Sequence, residues 1–285
     1  MKAATLEPTS LTRPESVPNA STPVRLALGN VWAMAGVVIL ELRRRKDFYV
    51  LFVMTALITL LMGSVNFFNE SGIVRYLKEI CLLLIWISSI VIAVTTAARQ
   101  IPAEKESRTL FPLLAKPVTR GQVVWGKFLG CWLATGICLV CFYAFLGLIS
   151  GLREQAWPVA GYFQALLLHW FALAVVVALS LLGSVIFAAP SSNNTITLVV
   201  VAGILLFGRH LNKVALQLAE PTQTILYWIY YAIPHLELFD VRDLVIHNWG
   251  VIPWGIWLAA LAYGAAYATI FLTLAWLRFR RLPLT

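Results

Sequence analysis

The chain has 285 residues, of which 60% are hydrophobic and only 12% charged. A soluble domain carries about a quarter charged residues, so this composition cannot supply a water-facing surface, and the membrane domain is essentially the whole chain. The net charge is +9, which in a soluble protein would point to nucleic acid. Here its meaning depends on where the basic residues fall relative to the apolar segments.

In chain order, residues 1–23 are rich in Pro, Ser and Thr and contain no apolar run. They lack the core of a signal peptide and are expected to form a disordered cytoplasmic tail. Residues 24–285 form the membrane domain. Within 24–46 the apolar run from Val24 to Leu42 is broken by Arg25, Asn30 and Glu41, and Arg25, Gly29, Ala33 and Gly36 make a small or polar stripe at helical spacing. This pattern predicts a helix lying in the membrane interface. A further span is the alternative, but only Arg43, Arg44, Arg45, Lys46 and Asp47 separate it from the next apolar run.

Long apolar segments follow at 48–65, 80–98, 123–149, 161–188 and 255–277, with a shorter one at 194–208. The short segment would rise about 22 Å at ~1.5 Å per residue, so it needs its flanks, or a thin membrane, to cross. The expected architecture is all-α: six transmembrane helices, an N-terminal interfacial helix, and an external helical region before the last span. With both termini cytoplasmic, sixteen Lys and Arg lie inside, and six lie outside: Arg75, Lys78, Arg153, Arg209, Lys213 and Arg242. That bias orients a multi-pass protein of the plasma or inner membrane, and it points to anionic lipid rather than nucleic acid.

Two connections are long, the cytoplasmic 99–127 and the external 209–253. The external one holds the aromatic run Ile225 to Tyr231 between Pro221 and Pro234. That run is too short to cross and suits a re-entrant or interfacial helix. No internal repeat indicates the inverted-repeat design of secondary transporters.

Several patterns that could carry chemistry have structural readings. Gly121 to Phe128 approaches a phosphate-binding loop, but Phe128 stands where a hydroxyl must ligand magnesium and no buried strand precedes it. Gly126, Gly130 and Ala134 read instead as a packing stripe on the third span. Cys131, Cys138 and Cys141 lack a His or carboxylate in the same span to complete a metal shell, and Cys81 likewise reads as a small buried hydrophobe. His210, His235 and His247 share the external loop at spacings that match no metal pattern. With Lys127 assigned to the loop, His169 is the one formally ionisable side chain, tyrosines and cysteines aside, inside a span, and an interhelical hydrogen bond is its expected role. The near absence of such groups argues against ion-coupled transport. No Ser-His-Asp order, zinc motif or buried carboxylate pair appears, so the chain is not expected to be an enzyme.

The cytoplasmic loop is ordered in its sequence. Thr109 can cap a short helix in which Leu110, Leu113 and Leu114 recur at helical spacing. Pro117 stops it, and Thr119 with Gln122 forms a capping box opening the third span. Such a helix, held between two spans, can present side chains to a soluble partner.

On Glu104, Glu106, Arg108, Thr109, Leu110, Leu113, Leu114, Pro117, Val118, Arg120, Gly126 and Lys127, the chain resembles the membrane subunits of type-2 ABC exporters, with Arg108 in place of the commoner Gly. The resemblance extends to the interfacial helix, the six spans and the external segment from Ile233 to Asp240. The chain looks most like the branch associated with multicopper-enzyme maturation. The resemblance implies a permease that pairs with a second copy, as a homo- or heterodimer, and with cytoplasmic ABC ATPase subunits. Those subunits would bind ATP and magnesium, leaving no cofactor in this chain. It further implies that Glu104, Glu106 and Arg108 make charged contacts with the ATPase, while Leu110, Leu113 and Leu114 form the apolar seat, with Thr109, Pro117 and Arg120 in the same coupling loop. The rival reading is a non-transporting anchor or assembly factor for an ATPase or a periplasmic maturation system.

Overall fold

The structure, a computed structural model, describes residues 23–44, 46–64, 70–107 and 118–281. The expected tail therefore lies outside the described residues except for Pro23, as do the loop residues Arg108, Thr109, Leu110, Leu113, Leu114 and Pro117. The helices are α1 (Pro23–Arg44), α2 (Asp47–Ser64), α3 (Glu70–Ala98), α4 (Pro102–Glu106), α5 (Arg120–Glu154), α6 (Val159–Ile186), α7 (Pro190–Ala215), α8 (Thr222–Ala232), α9 (Arg242–His247) and α10 (Trp254–Arg280). A 3-10 turn, Leu236–Phe239, lies between α8 and α9. No strand occurs among the described residues. Hydrocarbon offers a backbone N–H or C=O no solvent partner, and a helix satisfies those groups within one segment.

Five stretches are long and apolar enough to cross a membrane: Val74–Glu106, Arg120–Glu154, Val159–Ile186, Pro190–Gly208 and Trp254–Arg280. The chain is a polytopic membrane protein. Leu28–Leu42 and Tyr49–Leu61 are shorter apolar helices within the described residues. The short apolar run at 194–208 sits inside α7, whose 26 residues rise about 39 Å at ~1.5 Å each. Polar flanks, beginning at Pro190 and Ser191, supply the missing length.

Helix α6 is the centre of the bundle and packs against α3, α5, α7 and α10. Leu168, Leu173, Val177 and Leu181 on it are fully buried. Trp132 on α5 and Trp170 on α6 clamp the two helices together. Each indole N–H donates to the other residue's carbonyl, at 2.9 and 3.0 Å, and the rings stack with centroids 4.6 Å apart. His169 makes the expected interhelical contacts. Its Nε2 lies 2.9 Å from Ser89 Oγ on α3, and its ring stacks on Trp86 at 4.3 Å. Asn193 at the start of α7 donates to the carbonyls of Ala98 and Ser180 and accepts from Thr197, joining α3, α6 and α7.

The N-terminal helix α1 lies along α5. The stripe of Gly126 and Gly130 is where they meet: a Cβ on Gly126 would come within 2.9 Å of Met34 Cβ, and one on Gly130 within 2.7 Å of Val38 Cβ and 3.0 Å of Ala35 Cα. Ala35, Val38 and Leu42 are the buried face of α1. The other stripe, Gly29, Ala33 and Gly36, turns elsewhere, and nothing lies within 4 Å of a Cβ placed on Gly29 or Gly36. The reason is complementarity: α5 supplies the small residues, so α1 supplies the larger ones that fill the groove.

The region after α7 folds back onto the bundle. Leu236, Phe239, Val245 and Ile246 are buried, and Gln164 of α6 exchanges two hydrogen bonds with the backbone of Ile252, at 2.9 and 2.8 Å. Helix α8 has no buried residue. It carries the predicted aromatic run as a short helix, with Trp228 and Tyr231 exposed.

Gly130→Val is expected to push α1 off α5, because the obstacle is backbone as well as side chain. A loss of about 1–3 kcal/mol is expected, read as a lower Tm in detergent. An unchanged Tm would mean that α1 contributes no stability through this contact.

Candidate functional site

The loop expected to be cytoplasmic leaves the bundle at the end of α3 and returns at α5, and its stems are the described part of the site. At the first stem, the chain turns at Arg99–Ile101 and Pro102 opens α4. Proline suits this first helical position because its missing N–H would have no partner there. Glu104 on α4 points to Lys127, two turns inside α5, with Nζ 2.7 Å from Oε1. Lys127 also donates to Gln100 Oε1 at 3.1 Å, and its side chain is only 7% exposed. The second oxygen of Glu104 is buried without a hydrogen bond. A cavity of about 180 Å³ lies beside the pair, bordered by Val38 and Glu41 of α1, Arg99, Ser107 and the pair itself. Glu106, one residue past Lys105, is exposed.

The sequence places Lys127 at the mouth of the loop, whereas the structure makes it an interior residue of α5. The helix starts seven residues earlier, at Arg120, because the capping box predicted for Thr119 and Gln122 forms. Gln122 N–H donates to Thr119 Oγ1 at 3.3 Å, and Thr119 N–H donates to Gln122 Oε1 at 2.9 Å. The same helix disposes of the phosphate-loop pattern: Gly126 and Lys127 are helix interior, and Phe128 is buried.

At the second stem, Arg120 turns away from the loop. Its Nη1 donates to the carbonyls of Phe279 and Arg280 at 2.7 and 2.9 Å, and its guanidinium lies 5.7 Å from the Phe279 ring centroid. These are terminal carbonyls of α10, where a cation is favoured. One stem is thus bound to α5 beside α1, and the other to α10. Of the candidate loop residues, Glu104, Glu106 and Arg120 are described. Glu104 and Arg120 make contacts within the chain, and Glu106 faces solvent.

The pairing in two further charged clusters, away from the loop, has no signal in the sequence pattern. Lys78 on α3 is fully buried and pairs with Glu154 at the end of α5 at 2.7 Å, donating also to Asn248 Oδ1 at 3.2 Å. Arg242 holds Asp240 through two bonds of 2.8 Å and lies 5.7 Å from the centroid of Trp86, the ring stacked on His169. Hydrogen bonding to Asp240 raises the Arg242 pKa above its ordinary value. The one hint of burial is that Lys78 falls in line with the inward face of its own helix α3, which carries Cys81, Leu82 and Ile85.

Among the described residues no group of three His, Cys, Asp or Glu is arranged to hold a metal. His247 contacts its own helix at Asp243 O and stacks on Trp249, while His235 lies beside Glu237. The cysteines are free.

The chain is a multi-pass helical bundle in which the connection between α3 and α5 is braced at both stems. The chain matches the family described as ABC-2 family transporter protein over residues 58–282, more than three quarters of its length, and it belongs to that family. It is therefore a transmembrane permease subunit of an ABC transporter, a membrane component rather than an enzyme. No curated protein sequence matches it.

Lys127→Met leaves the Glu104 carboxylate without its partner and is expected to lower Tm, whereas Glu104→Gln combined with Lys127→Met recovers part of the loss. A coupling of about 1–3 kcal/mol is expected from a double-mutant cycle of thermal unfolding. Strictly additive losses would show that the pair is not coupled.

Proposed function

We propose that this chain is the transmembrane half of an ATP-driven exporter in the cytoplasmic or inner membrane, with α2, α3, α5, α6, α7 and α10 as its six spans and both termini inside. It works as a pair of permease copies with cytoplasmic ABC ATPase subunits, which bind ATP and magnesium, and nucleic acid has no part in it. The observation that supports this most is that the loop expected to meet the ATPase has both stems fastened to long apolar helices, one through Glu104 and Lys127, the other through Arg120. A displacement of the loop then moves α5 and α10 rather than only the loop itself.

In this reading Glu106, Arg108, Leu110, Leu113 and Leu114 meet the ATPase. Thr109 and Pro117 bound the docking helix, and Glu104 and Arg120 brace its stems. ATP binding closes the ATPase subunits, the loop follows, and the spans open a path between the protomers. Export as the direction, and placement in the multicopper-enzyme-maturation branch, rest on the resemblance of residues 104–127 and of the segment Ile233 to Asp240. A non-transporting anchor would also bind an ATPase, and a flux assay separates the two.

Coexpressed with its ATPase, the wild-type permease is expected to stimulate ATP turnover. Glu106→Lys and Leu113→Asp should abolish that stimulation while leaving membrane insertion intact, since an apolar seat loses more by gaining a charge than a solvated loop does. Unchanged stimulated turnover in both variants would remove the docking assignment.

A further inference from the structure

The cavity of about 180 Å³ beside the Glu104–Lys127 pair has one wall from α1, which carries Glu41, and another from the turn into α4, which carries Arg99. Four of its six polar lining residues are bonded within the chain. Glu104 and Lys127 hold each other, Gln100 accepts from Lys127 and donates to the Thr96 carbonyl, and Ser107 donates to the Ala103 carbonyl. Glu41 and Arg99 differ. Both are exposed, and neither side chain has a hydrogen bond or ion pair among the described residues. At neutral pH an exposed carboxylate and a guanidinium both carry charge. An anion and a cation therefore line one cavity without pairing across it.

Glu41 stands at the end of the apolar stretch Leu28–Leu42 of α1, and Arg99 follows directly on α3. Charged side chains at the ends of apolar helices reach into the headgroup layer. The α1 wall is otherwise apolar, through Met34, Val37 and Val38. Val37 belongs as well to the outward face of α1, where Leu28, Trp32 and Leu40 are also exposed. Unpaired charge in the cavity and apolar surface beside it match the head and the chains of one bilayer lipid.

We propose that this cavity holds the head of a bilayer lipid that carries a primary ammonium and a phosphodiester, the chemistry of phosphatidylethanolamine. The ammonium donates to Glu41, the phosphate accepts from Arg99, and the acyl chains lie along the outward face of α1. An ammonium has three N–H donors, and a guanidinium can hold a phosphate through two parallel bonds. A choline head has no N–H to give Glu41. A head that is only anionic brings its charge beside Glu41, and one that is only cationic brings it beside Arg99. The site goes beyond the transport reading. Binding is measured on the permease alone, so its failure and the failure of ATPase coupling are separate results.

The test uses the full chain purified in detergent near neutral pH. It is titrated with phosphatidylethanolamine, phosphatidylcholine or phosphatidylglycerol of the same acyl chains, and native mass spectrometry reads the lipid retained. Saturable retention of phosphatidylethanolamine is expected, with the other two held at least about tenfold more weakly, the loss of one charge-assisted hydrogen bond. Glu41→Gln and Arg99→Gln should each weaken phosphatidylethanolamine retention by a similar factor at unchanged Tm, because neither side chain is bonded within the chain. The two variants differ in selectivity. Glu41→Gln should erase the preference over phosphatidylcholine, whereas Arg99→Gln, which loses the contact to a phosphate that both lipids carry, should keep it. The proposal is overturned by equal retention of the three lipids, by wild-type retention in either variant, or by a Glu41→Gln chain that still prefers phosphatidylethanolamine. Displacement of the lipid by an equal concentration of free glycerophosphoethanolamine would assign the cavity to a soluble zwitterion and overturn it too.

Discussion

A polar group carried into hydrocarbon has no water to turn to, so its partner must come from the same protein. That constraint decides more than the helical backbone. Lys78 and Lys127 sit at opposite ends of the bundle, each inside a helix that outruns its apolar core, and each is answered by a carboxylate from another segment. Buried pairs of this kind add little net stability over apolar packing, but they penalise every arrangement in which the partners are apart. They therefore fix which ends of which helices lie together. Asn193 and His169 do the same work for α3, α6 and α7 in the interior.

The result is two levels of attachment around α5. Its glycine stripe accepts α1 by surface shape, and one turn of the same helix presents Lys127 to the stem of the loop. Helix α1, the loop stem and α5 consequently form one body at the loop end of the bundle. The opposite end is closed by a different device, a segment folded back and fastened by charge through Lys78 and Arg242. A permease that changes shape during its cycle has to release or carry these attachments, and the charged ones give discrete alternatives rather than gradual slippage.

Local features were legible in the sequence because their partners lie a few residues away. The Thr119 and Gln122 capping box is such a case, as is the spacing of Gly126 and Gly130, although α1 as the partner of that stripe was not. The partners of Lys78, by contrast, lie 76 and 170 residues away, and no periodicity encodes a separation of that size. Helix ends are not legible for a related reason: hydropathy marks the hydrocarbon, whereas α3 and α7 continue into polar residues. On α1, the stripe of Gly29, Ala33 and Gly36 is the face that the sequence pattern singles out. The face actually used is ordinary aliphatic surface, because the small residues that permit the approach belong to the other helix. The apolar triplet of the loop lies outside the described residues, so the docking reading still depends on residues 108–117 and their resemblance.

Helix termini are the first part of a helix to fray, since their last carbonyls have no intrahelical partner. In α10 the carbonyls of Phe279 and Arg280 are held by Arg120, at the base of the loop. The order of the final turn and the position of the loop are thus one variable. Anything that unwinds the end of the last helix, such as a harsh detergent or a mismatched bilayer, releases the loop's second stem at the same moment. In the proposed ATPase-driven cycle, loss of coupling under such conditions precedes any loss of the fold.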